Sequence, residues 1–258
     1  KDMTGKLPMG SQDFAKLRNE GYKYIDKSGI VYRLADSGCY YFLSRPRRFG
    51  KSLFLSTIEA YFLGKKECFK GLEIEKLEKD WIEYPVLRLG LNTQDYRTPE
   101  ALINKIDREL SLWENTYGAD SKEIGLGVRF EGVIRRAYEK TGRSVVILVD
   151  EYDKPVLQAI GNDALQDEYR AILKGFYGAL KSCDRYIKFA FLTGVTKFGK
   201  VSVFSDLNHL NDISMDPRYF DICGLTEREI RENLNEEVDA LAENLGVTTE
   251  EAYAKLKV

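Results

Sequence analysis

"SRPRRFGKSLF", residues 44–54, ends in Gly50-Lys51-Ser52. Those three residues close the pattern G-x-x-x-x-G-K-[ST]. In that pattern backbone N–H groups converge on a phosphate and a helix start points at it. The lysine reaches the β and γ oxygens, and the next hydroxyl ligates Mg2+. The first glycine of the pattern would fall at position 45, where Arg45 stands. That glycine eases the loop entrance and supplies no ligand, so Arg45 reads as an entrance residue. An apolar strand over 39–43 precedes the loop and a helix over 51–63 follows it. Gly50 is expected to take the positive φ of the tight turn. Lys51 would then contact phosphate, and Ser52 would hold the metal. The plainer alternative is a basic turn at a strand–helix junction.

A second stretch argues against that alternative. "SVVILVDEYD" (144–153) is apolar on both faces, as a central parallel strand must be, and it ends in Asp150-Glu151. A strand-end Asp can hold a Mg2+ shell, and a following Glu can polarise an attacking water. "YIKFAFLTGVTKFG" (186–199) is another apolar strand that breaks at Thr193-Gly194. Thr193 or Thr196 there can sense a γ-phosphate from between the two motifs. Lys197, Lys200 and Arg218 are candidates for neutralising the charge of a transferring phosphoryl group.

Outward from these, helices alternate with strands. The N-terminal segment reads as two short helices, the second capped by Asp26 with Ile30, Val31 and Leu34 inward. A strand over 84–92 leads to a helix begun by Thr98-Pro99, with Leu102, Ile106, Leu110, Trp113 and Tyr117 on one face. Further helices are expected near 127–141 and 164–182. The polar stretch 196–216 reads as a long loop, and "RYFDICG" (218–224) as a short strand. Thr226 and Glu229 then form a capping box. It starts one helix that carries Ile230, Leu234, Val238, Leu241 and Leu245 to a stop at Gly246, after which Thr248 and Glu251 can box a last short helix. This alternation predicts a parallel sheet covered on both faces by right-handed crossovers.

Composition narrows the function. With 39 basic and 41 acidic residues in 258, the net charge of −2 creates no global field toward nucleic acid or an anionic membrane. His209 is the single histidine, which removes His-based triads and most zinc sites. The four cysteines, Cys39, Cys68, Cys183 and Cys223, form no C-x-x-C and read as reduced thiols of a cytoplasmic protein. No apolar run has the length of a membrane span, and none reads as a signal peptide. The chain starts at Lys1 and stops inside a helical segment, so a trimmed piece is expected.

Taken together, "LPMGSQDFAKLRNEGYKYIDKS", "YYFLSRPRRFGKSLFLSTIEAYFLG", "VVILVDEYDKPV", "FAFLTGVTKFGKVSVFSDLNHLNDIS" and "YFDICGLTEREI" resemble the AAA-ATPase-like family of prokaryotic phosphate-loop proteins. R-P-R-R-F-G-K-S is that family's form of the loop, so Arg45 is its habit. The resemblance implies an α/β fold of the phosphate-loop NTPase kind, three-layer αβα, with a parallel sheet of order 5-1-4-3-2. It implies an ATPase core over 1–224 and the start of a helical lid over 225–258. Arg45, Pro46, Arg47, Arg48, Phe49, Gly50, Lys51, Ser52 and Leu53 would bind ATP. Ser52 and Asp150 would hold Mg2+, and Asp150 and Glu151, with Thr193, would serve catalysis. Members often continue into a restriction-endonuclease-like nuclease domain, so nucleic acid is a partner only through such a missing C-terminal part.

Three functions are compatible with these residues. One is an ATP-hydrolysing switch or motor for an attached or partner effector, with a homo-oligomer as one form of assembly. Another is a nucleotide-binding module with little hydrolysis, since no arginine finger is evident in cis. The third is an accessory domain in DNA processing. The segment Tyr22–Lys27 is a candidate to flank the base. No N/T-K-x-D guanine-reading motif is present, because "DKP" at 153–155 lacks the Asn.

Overall fold

The computed structural model describes residues 6–8, 10–197 and 200–256. The end of the 186–199 stretch, residues 198 and 199, lies outside them. The strands are β1 (Tyr40–Ser44), β2 (Val86–Gly90), β3 (Val145–Asp150), β4 (Ile187–Gly194) and β5 (Asn211–Asp212). They form one parallel sheet in the order β2-β3-β4-β1-β5, the expected 5-1-4-3-2 read from its other edge. All six residues of β3 are buried, which explains its unbroken apolar run: helices cover both of its faces.

One face carries α1 (Phe14–Asn19), α2 (Ser28–Ser37), α3 (Lys51–Phe62) and α4 (Glu73–Leu77). Their Phe14, Leu34, Leu55, Ile58 and Ile74 pack with Leu43, Val146, Leu148 and Phe191 of the sheet. The opposite face carries α5 (Pro99–Tyr117), α6 (Leu126–Thr141), α7 (Lys154–Gln158), α8 (Asp163–Ser182) and α9 (Lys200–Val203). There Ile106, Phe130, Val156 and Phe176 pack with Phe42, Ile147, Val149 and Leu192. Each such side chain, fully buried, favours folding by about 1.5–3 kcal/mol over exposure. After the sheet come α10 (Glu227–Asn233), α11 (Asn235–Leu245) and α12 (Thr249–Leu256), which have a small core of their own built on Val238, Ala242, Ala252 and Tyr253.

Three expectations need correction. The fifth strand is Asn211–Asp212, inside the stretch read as a loop, and 218–224 holds no strand. A two-residue polar strand has no alternation to detect. Ile222 and Cys223, which suggested a strand, are buried after a short 3-10 turn over Pro217–Tyr219. The last long helix breaks at Leu234 (φ −126°, ψ 22°), and Leu245 is exposed. Finally, one helix start differs from the expected cap. Asp26 accepts from the N–H of Ser28 at 2.8 Å and of Glu73 at 2.7 Å, so it ties α2 to α4 instead of serving as the N-cap residue. Thr98 stands at the N-cap of α5 with Pro99 in the first turn, as expected, although its side chain makes no cap bond.

Candidate functional site

The register puts three strand ends side by side. Leu43 of β1 lies opposite Thr193 of β4, and Val149 of β3 lies opposite Leu192. The loop 45–50, the Asp150-Glu151 pair and Thr193 therefore meet at the carboxyl end of the sheet, where open α/β sheets bind ligands. Beta-strand 4 runs between β1 and β3, as the reading of Thr193 required.

The loop is shaped for an anion. Gly50 sits at φ 84° and starts α3 without a side-chain cap, and no acidic residue stands in the first turn. Among the described residues, the N–H groups of Arg47, Arg48, Phe49 and Gly50 donate to no protein oxygen. Arg48 also has a left-handed φ of 62°, which curls the loop back toward the helix start. Lys51 is buried, and its Nζ donates to the carbonyls of Arg45 and Pro46, both at 2.9 Å. Burial lowers the proton affinity of this amine, while the carboxylates of Glu151 and Asp150 oppose that shift. Uncapped amides, the positive end of a twelve-residue helix and a lysine together form a cradle with the chemistry to hold an anion.

Arg45 does something else. Its guanidinium donates to the carbonyls of Ser44 (3.0 Å), Ser214 (2.6 Å) and Tyr219 (3.3 Å). It ties the loop entrance to the segment after β5 and points away from the cradle. Arg47 and Arg48 are exposed.

Across the sheet end, Asp150 is buried, and its Oδ1 accepts from the hydroxyl of Thr193 at 2.8 Å. Its Oδ2 takes no bond from the described residues, and Ser52 is half-buried at the start of α3. One free carboxylate oxygen and one hydroxyl suit Mg2+, which takes few protein ligands and keeps waters or phosphate oxygens. Among the described residues no group of three or more His, Cys, Asp or Glu could hold a metal, so a tight all-protein site is not built here. Glu151 has φ 54°, a rare backbone for a side-chain-bearing residue. Burial raises its proton affinity, the Asp150 charge adds to this, and Lys51 and Arg47 oppose it. A carboxylate moved toward neutrality is better matched to accepting a proton.

The other proposed cations are engaged elsewhere. Lys197 and Lys200 pair with Asp212 at 3.1 and 2.8 Å, and Arg218 pairs with Asp216 at 2.6 Å. Thr196 binds Asp153 through both N–H (2.8 Å) and hydroxyl (3.1 Å).

Beside the loop lies a cavity of about 490 Å3, lined by Tyr24, Ile25, Phe49, Leu53, Ile222 and Leu234 among others. The segment Tyr22–Lys27 thus supplies part of its wall. Lys27 is bonded to Glu229, and Lys23 lies 2.5 Å from Glu237, so the helices after the sheet close over this cavity. Glu229 also completes the capping box with Thr226, as the sequence predicted. Cys223 lines the cavity too, but burial pushes its thiol up to about 12, so it carries no thiolate chemistry. The sequence reading missed Asp153 and Glu229 as parts of this region. The only local signal was the position of Asp153 three residues beyond Asp150 in "DEYD".

The family described as "Predicted AAA-ATPase" matches residues 8–204, most of the chain and every part of this sheet end up to Lys200. The chain belongs to the AAA-ATPase-like family. The family description makes nucleotide binding the general expectation for this cradle. A relative from Azotobacter chroococcum mcd 1, described as "Uncharacterized protein in vnfD 5'region", is 43% identical over 227 residues. That match covers 87% of this chain and 44% of the relative, so the chain spans less than half of the relative's length. No solved structure matches the chain. No described helix is long and apolar enough to cross a membrane.

Proposed function

We propose that this AAA-ATPase-like protein binds ATP with Mg2+ at the 45–53 loop and hydrolyses it, acting as a switch or motor for an attached or partner effector. The observation that carries this reading is the meeting of the uncapped α3 start and Lys51 with a buried Asp150 and a left-handed Glu151. In this reading the amides of 47–50 and Lys51 hold the β- and γ-phosphates, and Lys51 exchanges its carbonyl partners for them. Ser52 and Asp150 hold Mg2+, which when bound neutralises charge on the phosphate oxygens. Glu151 orients a water and accepts its proton. The base enters the cavity beside Tyr24 and Leu53, whose walls are mostly apolar.

The test is ATP binding by calorimetry and turnover with and without Mg2+. Lys51→Ala should abolish measurable binding, since it removes charge-assisted bonds worth about 1.5–3 kcal/mol each. Unchanged affinity in that variant would overturn the assignment. A second reading, a nucleotide-binding module with little hydrolysis, draws on the pairing of Lys197, Lys200 and Arg218 with carboxylates. That leaves Arg47 and Arg48 as the cations to meet a transferring phosphoryl group until assembly supplies another. Nucleic acid enters only as a substrate of a further domain, and a salt-dependent DNA-binding assay on this chain separates that case.

A further inference from the structure

Thr193 has one hydroxyl proton, and it goes to Asp150 Oδ1 at 2.8 Å. The hydroxyl oxygen of Thr193 in turn accepts the N–H of Glu151 at 3.1 Å. No proton remains on Thr193 for a phosphate oxygen. A buried threonine bonded to the next strand is common by itself. What sets this one apart is its second partner, the amide of the one residue in the turn that has a left-handed backbone.

The rest of the β4 end is built around the same turn. The N–H of Tyr152 donates to the Thr193 carbonyl at 3.0 Å. Fully buried Asp153 accepts from the amides of Val195 (3.1 Å) and Thr196 (2.8 Å). Gly194 lies under the Tyr152 ring, where a Cβ would come within 2.5 Å of a ring carbon. Four consecutive residues, Thr193 to Thr196, therefore serve as a template for the four residues Asp150 to Asp153.

The geometry points to Thr193 as a positioning residue for the Asp150–Glu151 pair, fixing a metal carboxylate with its proton and a general base with its lone pair, and not as a contact to the γ-phosphate. This rests on the ATPase reading, and two kinds of measurement separate the two. The first uses turnover. Thr193→Val should slow ATP turnover by about 10- to 100-fold, the range for losing the partner of a metal-binding carboxylate. Thr193→Ser should restore it. The preference for ATP over ADP in binding should stay the same in Thr193→Val, whereas loss of a γ-phosphate contact would reduce it. The second needs no nucleotide. Glu151→Gln should raise the melting temperature in the parent, because it removes a half-buried charge beside Asp150, and should raise it less in Thr193→Val, where Glu151 is no longer pinned. A reduced ATP-over-ADP preference, or an equal melting gain in both backgrounds, would overturn the positioning role. A parent that binds ATP but shows no turnover removes the hydrolysis reading and leaves the melting comparison to decide the inference.

Discussion

Glu151 is held where its charge is unfavourable for folding. Burial and the neighbouring Asp150 raise its proton affinity. An acid whose folded pKa lies above its unfolded value stabilises the fold when protonated and loses that contribution as pH rises through the range between the two values. Glu151→Gln should thus raise the melting temperature at pH 7, with the gain shrinking as pH falls into the carboxylate range. Turnover should drop by about 10²–10⁴, the scale of a general base. Thermal scans across pH, paired with steady-state assays, test both halves. No gain at pH 7 would mean that Lys51 and Arg47 fully offset the burial. Arg45 makes the opposite case. Its three carbonyl partners predict that Arg45→Gly lowers stability by about 1–3 kcal/mol. ATP affinity should change less than about tenfold where the variant is folded, because the side chain points away from the cradle. A loss of several hundredfold would place Arg45 on the phosphate.

Among the elements, α10 and α11 depend on the N-terminal segment. Their own core is small, and Lys27–Glu229 and Lys23–Glu237 attach them across the cavity mouth. The side chains of Lys27 and Glu229 are only 9% and 18% exposed, so this pair is less screened than a surface one. Lys27→Met should cost about 1–2 kcal/mol, mostly by leaving Glu229 without its cation. Hydrogen exchange should speed up in 226–245 and stay slow in β3 and β4. Uniform acceleration across both would show that the helices and the sheet open as one unit. Saturating ATP should slow exchange in the same helices if the cavity takes the base.

At the scale of the molecule, Asp212 ties β5 to the rest. It accepts from Lys200, Lys197 and Ser214, and Ser214 in turn accepts the N–H of Ser44 at the loop entrance. Burial alone would raise its pKa, but hydrogen bonds from Lys200, Ser214 and Lys197 outweigh this and hold it well below the carboxylate range. A depressed acid contributes stability above its unfolded pKa and loses it as pH falls toward the folded one. Asp212→Asn should therefore melt lower than the parent at pH 7, with the two converging in acid. A constant difference at every pH would point to packing instead of charge. This fifth strand also shows what was hard to read. Its two polar residues carry no period, whereas β3 could be read because helices on both faces demand an apolar residue at every position. The elements of the cradle, its glycine and the Asp150–Glu151 pair were legible because each is local: strand, turn and helix follow one another within about a dozen residues. The sequence by itself thus determined the family, the order of the first four strands and the residues brought to the sheet end. Only the tertiary structure decided that Arg45 faces the carbonyls of Ser214 and Tyr219, that Lys197 and Lys200 answer to Asp212, and that one hydroxyl of Thr193 serves two partners. These are contacts between residues 12 to 174 positions apart, and which donor meets which acceptor at that distance depends on strand register and on the route of the intervening chain, which no local pattern encodes.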